Sequence, residues 1–266
     1  MIYTGSLFMR EFLGFGGYNR PAEGFFSWQH LTLVTSLMII MVTAALMLSK
    51  RNRFGSDKQK NRVLIAAAFL IDGFEIFKIS VLCLRSGSWD PCLSNLPLFL
   101  CSIQLISIPL AAFSKGRIRE AALDFVCIFG ILGAVLGTYG AGQNYACYPV
   151  LSMDNVVSGI THSISGFAAI YIFRVGLTSM KKKNISITYG ILVTFCILAY
   201  LANLKLGTNY MFLMQGDGTP YDIFYNMVSG SKVLYPAIVI GLFLFYIAGF
   251  YLVYLAIHKK RKKVTV

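Results

Sequence analysis

The stretch Leu31–Ser49, LTLVTSLMIIMVTAALMLS, is followed at once by Lys50-Arg51-Asn52-Arg53. This apolar run is close to the 20 or so residues that an α-helix needs to cross a bilayer, and it ends in positive charge. Of the 266 residues, 56% are hydrophobic and 13% are charged, whereas soluble domains average about 25% charged residues. This composition excludes a disordered chain and argues against a soluble enzyme, so the sequence predicts an all-α, polytopic membrane protein.

Six further apolar runs follow, which gives seven predicted transmembrane helices. The seven are Leu31–Ser49, Val63–Leu84, Leu96–Phe113, Ala121–Thr138, Val156–Phe173, Ile185–Asn203 and Leu234–Ile257. They form one membrane domain over residues 31–257, between an outer N-terminal segment (1–30) and a basic tail (258–266). The first 30 residues lack the apolar run and cleavage site of a secretion signal, so no cleaved signal peptide is predicted. Leu7–Leu13 fits a short amphipathic helix at the membrane interface.

The basic residues predict the orientation of the chain. Eighteen of the 24 Lys and Arg residues fall in the first, third and fifth connections and in the tail, and five fall on the opposite side. Because cytoplasmic loops carry the excess of Lys and Arg, we expect the N-terminus outside and the C-terminus in the cytosol. Topology thus explains the net charge of +13. No nucleic-acid partner is predicted, and anionic lipid headgroups are the expected contact.

The second predicted span carries three ionisable side chains, which are candidate functional residues because charge within a membrane is costly. Asp72, Glu75 and Lys78 share one helix face through their i, i+3 spacing. In one interpretation Glu75 and Lys78 neutralise each other and Asp72 bonds to a neighbouring helix. In the other, the three line a functional site.

A thiol and an imidazole fall at a similar predicted depth in the outer leaflet. At 1.5 Å per residue, Cys101 and His162 lie roughly 7–9 Å below the outer boundary. Gln104 follows Cys101 at i+3, and His30 marks the outer entry of the first span. A cysteine and a histidine together supply a nucleophile and its base. Lone cysteines and histidines in helices are more often packing residues, so both interpretations stay open.

The other cysteines and the remaining sequence motifs indicate no further catalytic or metal site. Cys92 and Cys147 lie in outer loops, where an oxidising compartment would let them pair, and Cys83 is an alternative partner. No Cys/His spacing resembles a zinc site, and no P-loop, HExxH or GxSxG motif is present. We therefore predict no metal and no cofactor.

Two strings carry a family resemblance, Leu96-Pro97-Leu98-Phe99-Leu100-Cys101 and Asn209-Tyr210-Met211-Phe212-Leu213. Together with Phe26-Ser27-Trp28-Gln29-His30, they resemble the YwaF / transmembrane protein 164 family over roughly residues 25–257. That family's pattern has a histidine two residues before the cysteine, where this chain has Phe99.

The resemblance implies a membrane-embedded acyltransferase acting on phospholipids. Cys101 would accept a fatty acyl chain as a thioester and pass it to a lysophospholipid or related acceptor, with His162 as general base. The supporting polar candidates are His30, Asp72, Glu75, Lys78, Gln104, Asn209 and Tyr210.

Two other functions compete with the acyltransferase. A transporter or channel would use Asp72, Glu75, Lys78 and His162 as a proton or solute path, and would tolerate loss of Cys101. A non-catalytic seven-span protein would act through its loops and the basic cluster at 259–263. The short loops and the absence of long tails favour a bacterial plasma membrane.

Overall fold

The computed structural model of the protein describes residues 2–178 and 180–264, with side chains described from residue 8 to residue 257 apart from residue 179. This part of the chain is α-helical with two short 3-10 turns and contains no strand, which confirms the all-α class. The helices are α1 (Ile2–Leu13), α2 (Trp28–Asn52), α3 (Asp57–Ser86), α4 (Asp90–Ser94), α5 (Gln104–Phe113), α6 (Gly116–Tyr139), α7 (Gly142–Cys147), α8 (Met153–Val175), α9 (Ile185–Leu206), α10 (Tyr221–Met227) and α11 (Leu234–Val264). The side chains of the basic cluster at 259–263 lie outside the described residues.

Among the described residues, five helical segments are long and apolar enough to cross a membrane, as expected of a multi-pass membrane protein. They are Trp28–Asn52, Gly116–Cys147, Met153–Val175, Lys182–Leu206 and Leu234–Ile257. Each contains one predicted span, namely the first, fourth, fifth, sixth or seventh. The second predicted span lies within the 30-residue helix α3. This helix is not one of the five apolar segments, because it contains more charged residues than they do.

The third predicted span is wrong in its first half. The sequence predicts a helix over Leu96–Phe113, but residues 97–103 form turns and helix α5 begins only at Gln104. Contacts with a distant loop hold this segment in another conformation, because the Tyr210 hydroxyl bonds to the Leu93 carbonyl and the Leu96 amide and the Tyr210 ring packs on Phe99. Cys101 therefore lies in a turn rather than on the same helix as Gln104.

The centre of the bundle is an antiparallel seam between α6 and α8, where small residues let the two backbones approach. A Cβ atom at Gly130 would lie 2.7 Å from the carbonyl oxygen of Ser165, and one at Gly166 would lie 2.7 Å from Cβ of Ala134. Close approach of this kind is how membrane helices gain packing contact without a hydrophobic driving force. Helices α2, α3 and α5 pack around this seam.

A buried carboxylate joins three helical elements at the predicted cytosolic end. Asp124 on α6 is fully buried and accepts hydrogen bonds from the Thr178 hydroxyl, from Nδ2 of Asn184 at 3.0 Å and from the Tyr251 hydroxyl at 2.7 Å. Asn184 immediately precedes α9, and Tyr251 lies on α11. Each donor is satisfied by the same carboxylate, so Asp124 holds these elements together.

The N-terminal segment docks on the predicted outer end of the bundle. The Tyr18 hydroxyl donates to Asp154 at 2.5 Å, and Arg85 Nη1 donates to the same carboxylate at 2.7 Å. Burial and the adjacent Asp154 carboxylate raise the pKa of Tyr18 above its ordinary value. The predicted helix over Leu7–Leu13 is confirmed as part of α1, while its position at a membrane interface stays a prediction.

Candidate active site

A cavity of about 600 Å³ lies between α3, α6 and α8 near the predicted outer end. Two irregular segments complete its wall, one containing residues 95–102 and the other residues 217–220. Four of the side chains that the sequence singled out border this space: Glu75, Lys78, Cys101 and His162. The cavity therefore gathers an ion pair, a thiol and an imidazole.

Two glycines on one face of α6 bring Cys101 and His162 close to each other. A Cβ at Gly133 would lie 3.6 Å from Cβ of Cys101, and a Cβ at Gly137 would lie 2.3 Å from Nδ1 of His162. Residues at i and i+4 are about one helical turn, 5–6 Å, apart. Lys78 lines the same cavity as Cys101 and His162. The thiol and the imidazole thus face one volume, although no hydrogen bond joins them in the described structure.

The His162 imidazole faces the cavity without a hydrogen-bond partner among the described residues. Ser158 and Ser165, one turn away on α8, also line the cavity. The Ser165 hydroxyl donates to the Thr161 carbonyl at 3.2 Å, and the Ser158 carbonyl accepts from the Thr161 hydroxyl at 2.9 Å. Neither serine has a hydrogen bond to the ring among the described residues, so no described side chain competes with a ligand for the ring nitrogens.

The charged residues of α3 separate into a pair and a single carboxylate. Lys78 Nζ lies 2.6 Å from Oε1 of Glu75, so the two neutralise each other as expected. Asp72 does not line the cavity, and among the described residues it makes no hydrogen bond. The expectation that Asp72 bonds to a neighbouring helix is therefore wrong. Three of the four residues assigned to a transport path, Glu75, Lys78 and His162, border the cavity.

Two other polar candidates lie outside the cavity. His30 is fully buried, accepts the Phe26 amide hydrogen at Nδ1 (3.1 Å) and places Nε2 3.1 Å from the Thr138 carbonyl oxygen. With Nδ1 as acceptor, Nε2 carries the proton and donates, so His30 ties the chain before α2 to the end of α6. Gln104 is fully buried, and neither amide atom has a hydrogen-bond partner within the described part of the chain.

The Asn209-Tyr210 string packs on the string that contains Cys101. The buried Tyr210 hydroxyl donates to the Leu93 carbonyl at 2.5 Å and accepts from the Leu96 amide at 3.3 Å. Its ring meets Phe99 edge-on at 5.0 Å. Asn209 Nδ2 donates to the Gln215 carbonyl at 2.9 Å and shapes the following loop. These two residues therefore support the cavity wall rather than face the cavity.

The two strings that suggested a family are thus neighbours in space, and the sequence model of the TMEM164 family matches residues 25–261. The chain belongs to the TMEM164 family. This finding confirms the resemblance drawn from the two strings. Comparisons with curated proteins and with solved structures gave no match.

Sequence reasoning missed two features of this TMEM164 family member. Gly137 lies against the imidazole, and the Gly133-xxx-Gly137 spacing, typical of close helix contacts, was the available signal. The other feature is the segment 217–220, which forms part of the cavity wall. No local pattern indicates that wall, because it depends on how a distant loop folds back.

Proposed function

We propose that this TMEM164 family member is a membrane-embedded acyltransferase that carries a fatty acyl chain on Cys101 and transfers it to a lipid acceptor. The observation that carries the proposal is that Cys101 and His162 line one cavity. They lie against Gly133 and Gly137, which are one helical turn apart on α6. A thiol, a base without another partner and a cavity that a lipid can enter are what nucleophilic acyl transfer requires.

The reaction needs only these two side chains and two lipids. His162 takes the proton of the Cys101 thiol, and the thiolate attacks the carbonyl carbon of a donor ester. A carbon–sulfur bond forms, the ester carbon–oxygen bond breaks, and His162 returns the proton to the departing alkoxide. In the second half His162 removes the proton of an acceptor hydroxyl, the new ester forms, and Cys101 leaves as a thiolate that regains that proton.

The Glu75–Lys78 pair suits a phospholipid as donor and acceptor. The Lys78 ammonium borders the same cavity as Cys101 and His162. A lipid phosphate would meet this cation, while the ester region would lie near Cys101. Because Glu75 already neutralises Lys78, the cation can remain in place before the lipid enters.

The proposal includes a topology of seven crossings with the N-terminus outside and the C-terminus in the cytosol. Helix α3 and the turn-plus-helix segment 96–113 would add two crossings to the five apolar segments. In a bacterial plasma membrane, the cavity would then face the exterior at the level of the glycerol esters. Labelling of single cysteines placed in residues 53–58 and 229–233, in intact cells and in lysed cells, tests this orientation.

Acyl transfer by the purified protein in liposomes tests the function. The liposomes contain a phospholipid labelled in one acyl chain and a lysophospholipid acceptor, and products are followed by mass spectrometry. Transfer should disappear in Cys101→Ala and His162→Ala and persist in Cys147→Ala, whose exposed thiol borders no part of the cavity. A labelled thioester should be trapped on Cys101 when acceptor is omitted.

The same variants separate the enzyme from a transporter. Transfer that survives Cys101→Ala would refute the thioester step. No transfer across several donors, together with proton or solute flux that depends on Glu75 and Lys78, would favour transport through the same cavity.

A further inference from the structure

Two thiols outside the cavity lie next to each other at the predicted outer end of α3. Cys83 Sγ on α3 and Cys92 Sγ on α4 are 3.5 Å apart, and both residues are half-buried. The sequence suggested Cys92 and Cys147 as a pair, but Cys147 is exposed on α7 and makes no hydrogen bond with either thiol. Helix α3 ends at Gly87, whose φ of 64° lets the chain reverse into α4.

We propose that Cys83 and Cys92 form a reversible disulfide that fixes the wall of the cavity bearing Cys101. The inference rests on the two thiols and their surroundings, and it holds whether or not Cys101 carries an acyl chain. A disulfide needs the sulfurs at about 2.05 Å, and the present contact leaves about 1.5 Å to close by side-chain rotation.

The oxidant is a low-molecular-weight disulfide such as glutathione disulfide. The Cys92 thiolate attacks one glutathione sulfur, forms a mixed disulfide and releases one glutathione. The Cys83 thiolate then attacks the Cys92 sulfur and releases the second glutathione. The two thiol protons end on the two glutathione thiols, so one disulfide is exchanged for another. Only Cys92 has to meet the oxidant. Cys83, which lies near the end of a predicted membrane span, therefore needs no contact with glutathione disulfide.

The segment that follows Cys92 leads directly to the cavity. Asn95 Nδ2 donates to the Pro91 carbonyl at 2.9 Å, and the Tyr210 hydroxyl bonds to Leu93 and Leu96. Asn95 and Leu96 line the cavity. A covalent link from Cys92 to α3 therefore restrains the same short segment that Tyr210 holds from the other side.

Thiol mapping of the purified full chain in detergent tests the pairing. The protein is equilibrated with glutathione and glutathione disulfide at several ratios, alkylated, digested and analysed by mass spectrometry. We expect a peptide pair joined through Cys83 and Cys92, lighter by two hydrogens, which disappears on reduction. Cys83→Ser and Cys92→Ser should each abolish it, and Cys147→Ser should retain it.

Peptide mapping of the native chain needs no variant, so a misfolded variant does not obscure the answer. Full alkylation of Cys83 and Cys92 at every ratio, or a cross-link through Cys147 instead, would overturn the pairing. Hydrogen exchange over residues 93–101 tests the second part. It should be slower in the oxidised native chain than in the reduced one and insensitive to redox state in Cys83→Ser. Equal exchange in both native forms would refute the restraint on the cavity wall.

Discussion

A Cβ atom at Gly137 would lie 2.2 Å from Cε1 of His162, so the imidazole on α8 rests directly on the backbone of α6. No side chain except hydrogen fits between them. Because no hydrogen bond holds the ring among the described residues, this contact and the surrounding helix packing set its orientation. The orientation of the His162 imidazole, the candidate base, thus depends on the absence of a side chain at Gly137.

Replacing Gly137 with Ala should disable the site through the position of His162. The added methyl group overlaps the ring, so the imidazole must shift from its present place, at a cost of about 1–3 kcal/mol as for other overpacked sites. We expect a lower unfolding temperature in detergent and loss of acyl transfer in liposomes.

Gly190→Ala is the matched control, because a Cβ there meets nothing within 4 Å. It should leave transfer intact and raise helix stability by about 0.5–1 kcal/mol. Full transfer by Gly137→Ala at native stability would mean that the imidazole position does not matter for the reaction.

The Glu75–Lys78 pair should behave as one neutral unit. Glu75→Gln leaves the ammonium without its partner at 2.6 Å, and the exchanged double variant Glu75→Lys/Lys78→Glu restores an ion pair. We expect the double variant to be more stable than either single exchange, with a coupling of about 0.5–3 kcal/mol in unfolding measurements. Additive effects would refute the coupling, and loss of turnover in a fully stable Glu75→Gln would give the carboxylate a role in orienting the base.

Tyr210→Phe should loosen the segment that leads to Cys101. The change removes the hydroxyl that bonds to Leu93 and Leu96, at a cost of about 1–3 kcal/mol for buried groups left unpaired. Cys101 should then be alkylated faster by a maleimide. Tyr200→Phe, which loses a single, more exposed bond to the Lys232 carbonyl, is the control and should keep the native rate. Equal rates in all three proteins would count against a supporting role for Tyr210.

Asp124→Ala should be among the most destabilising single changes in the bundle. It leaves donors on Thr178 and Asn184 without their acceptor, and Tyr251 keeps only its 3.0 Å contact with the Thr188 hydroxyl, which costs about 3 kcal/mol in total. Glu120, on the same helix as Asp124, forms partly exposed ion pairs with Lys181 and Lys183. Glu120→Gln breaks these pairs and should cost less than about 1 kcal/mol. Thermal unfolding of the two variants makes the comparison, and similar values would contradict the structural importance of Asp124.

The parts of the fold that depend on local composition could be predicted from the sequence. A run such as Leu31–Ser49 predicts its helix without reference to the rest of the chain, since lipid leaves few other ways to satisfy backbone hydrogen bonds. The prediction was wrong over residues 97–103, because hydropathy does not register contacts with a distant residue such as Tyr210. The cysteine in that segment consequently lies in a turn.

The residue types of the candidate site could be predicted from the sequence, but their arrangement could not. Counting residues from the span ends put Cys101 and His162 in one layer, whereas their common cavity depends on how α6 and α8 pack. For the same reason the sequence could not decide which thiol lies next to Cys92, and in the structure it is Cys83 rather than Cys147.

The sequence by itself determined a helical, multi-pass membrane protein of the TMEM164 family. It also supplied the residue types from which a site is made. Only the tertiary structure decided that Gly137 meets His162, that His30 and Tyr210 are structural, and that Asp72 stays outside the cavity. The physical reason is that hydropathy and helical period are properties of neighbouring residues, whereas lateral contacts arise from side-chain packing between helices far apart in the chain.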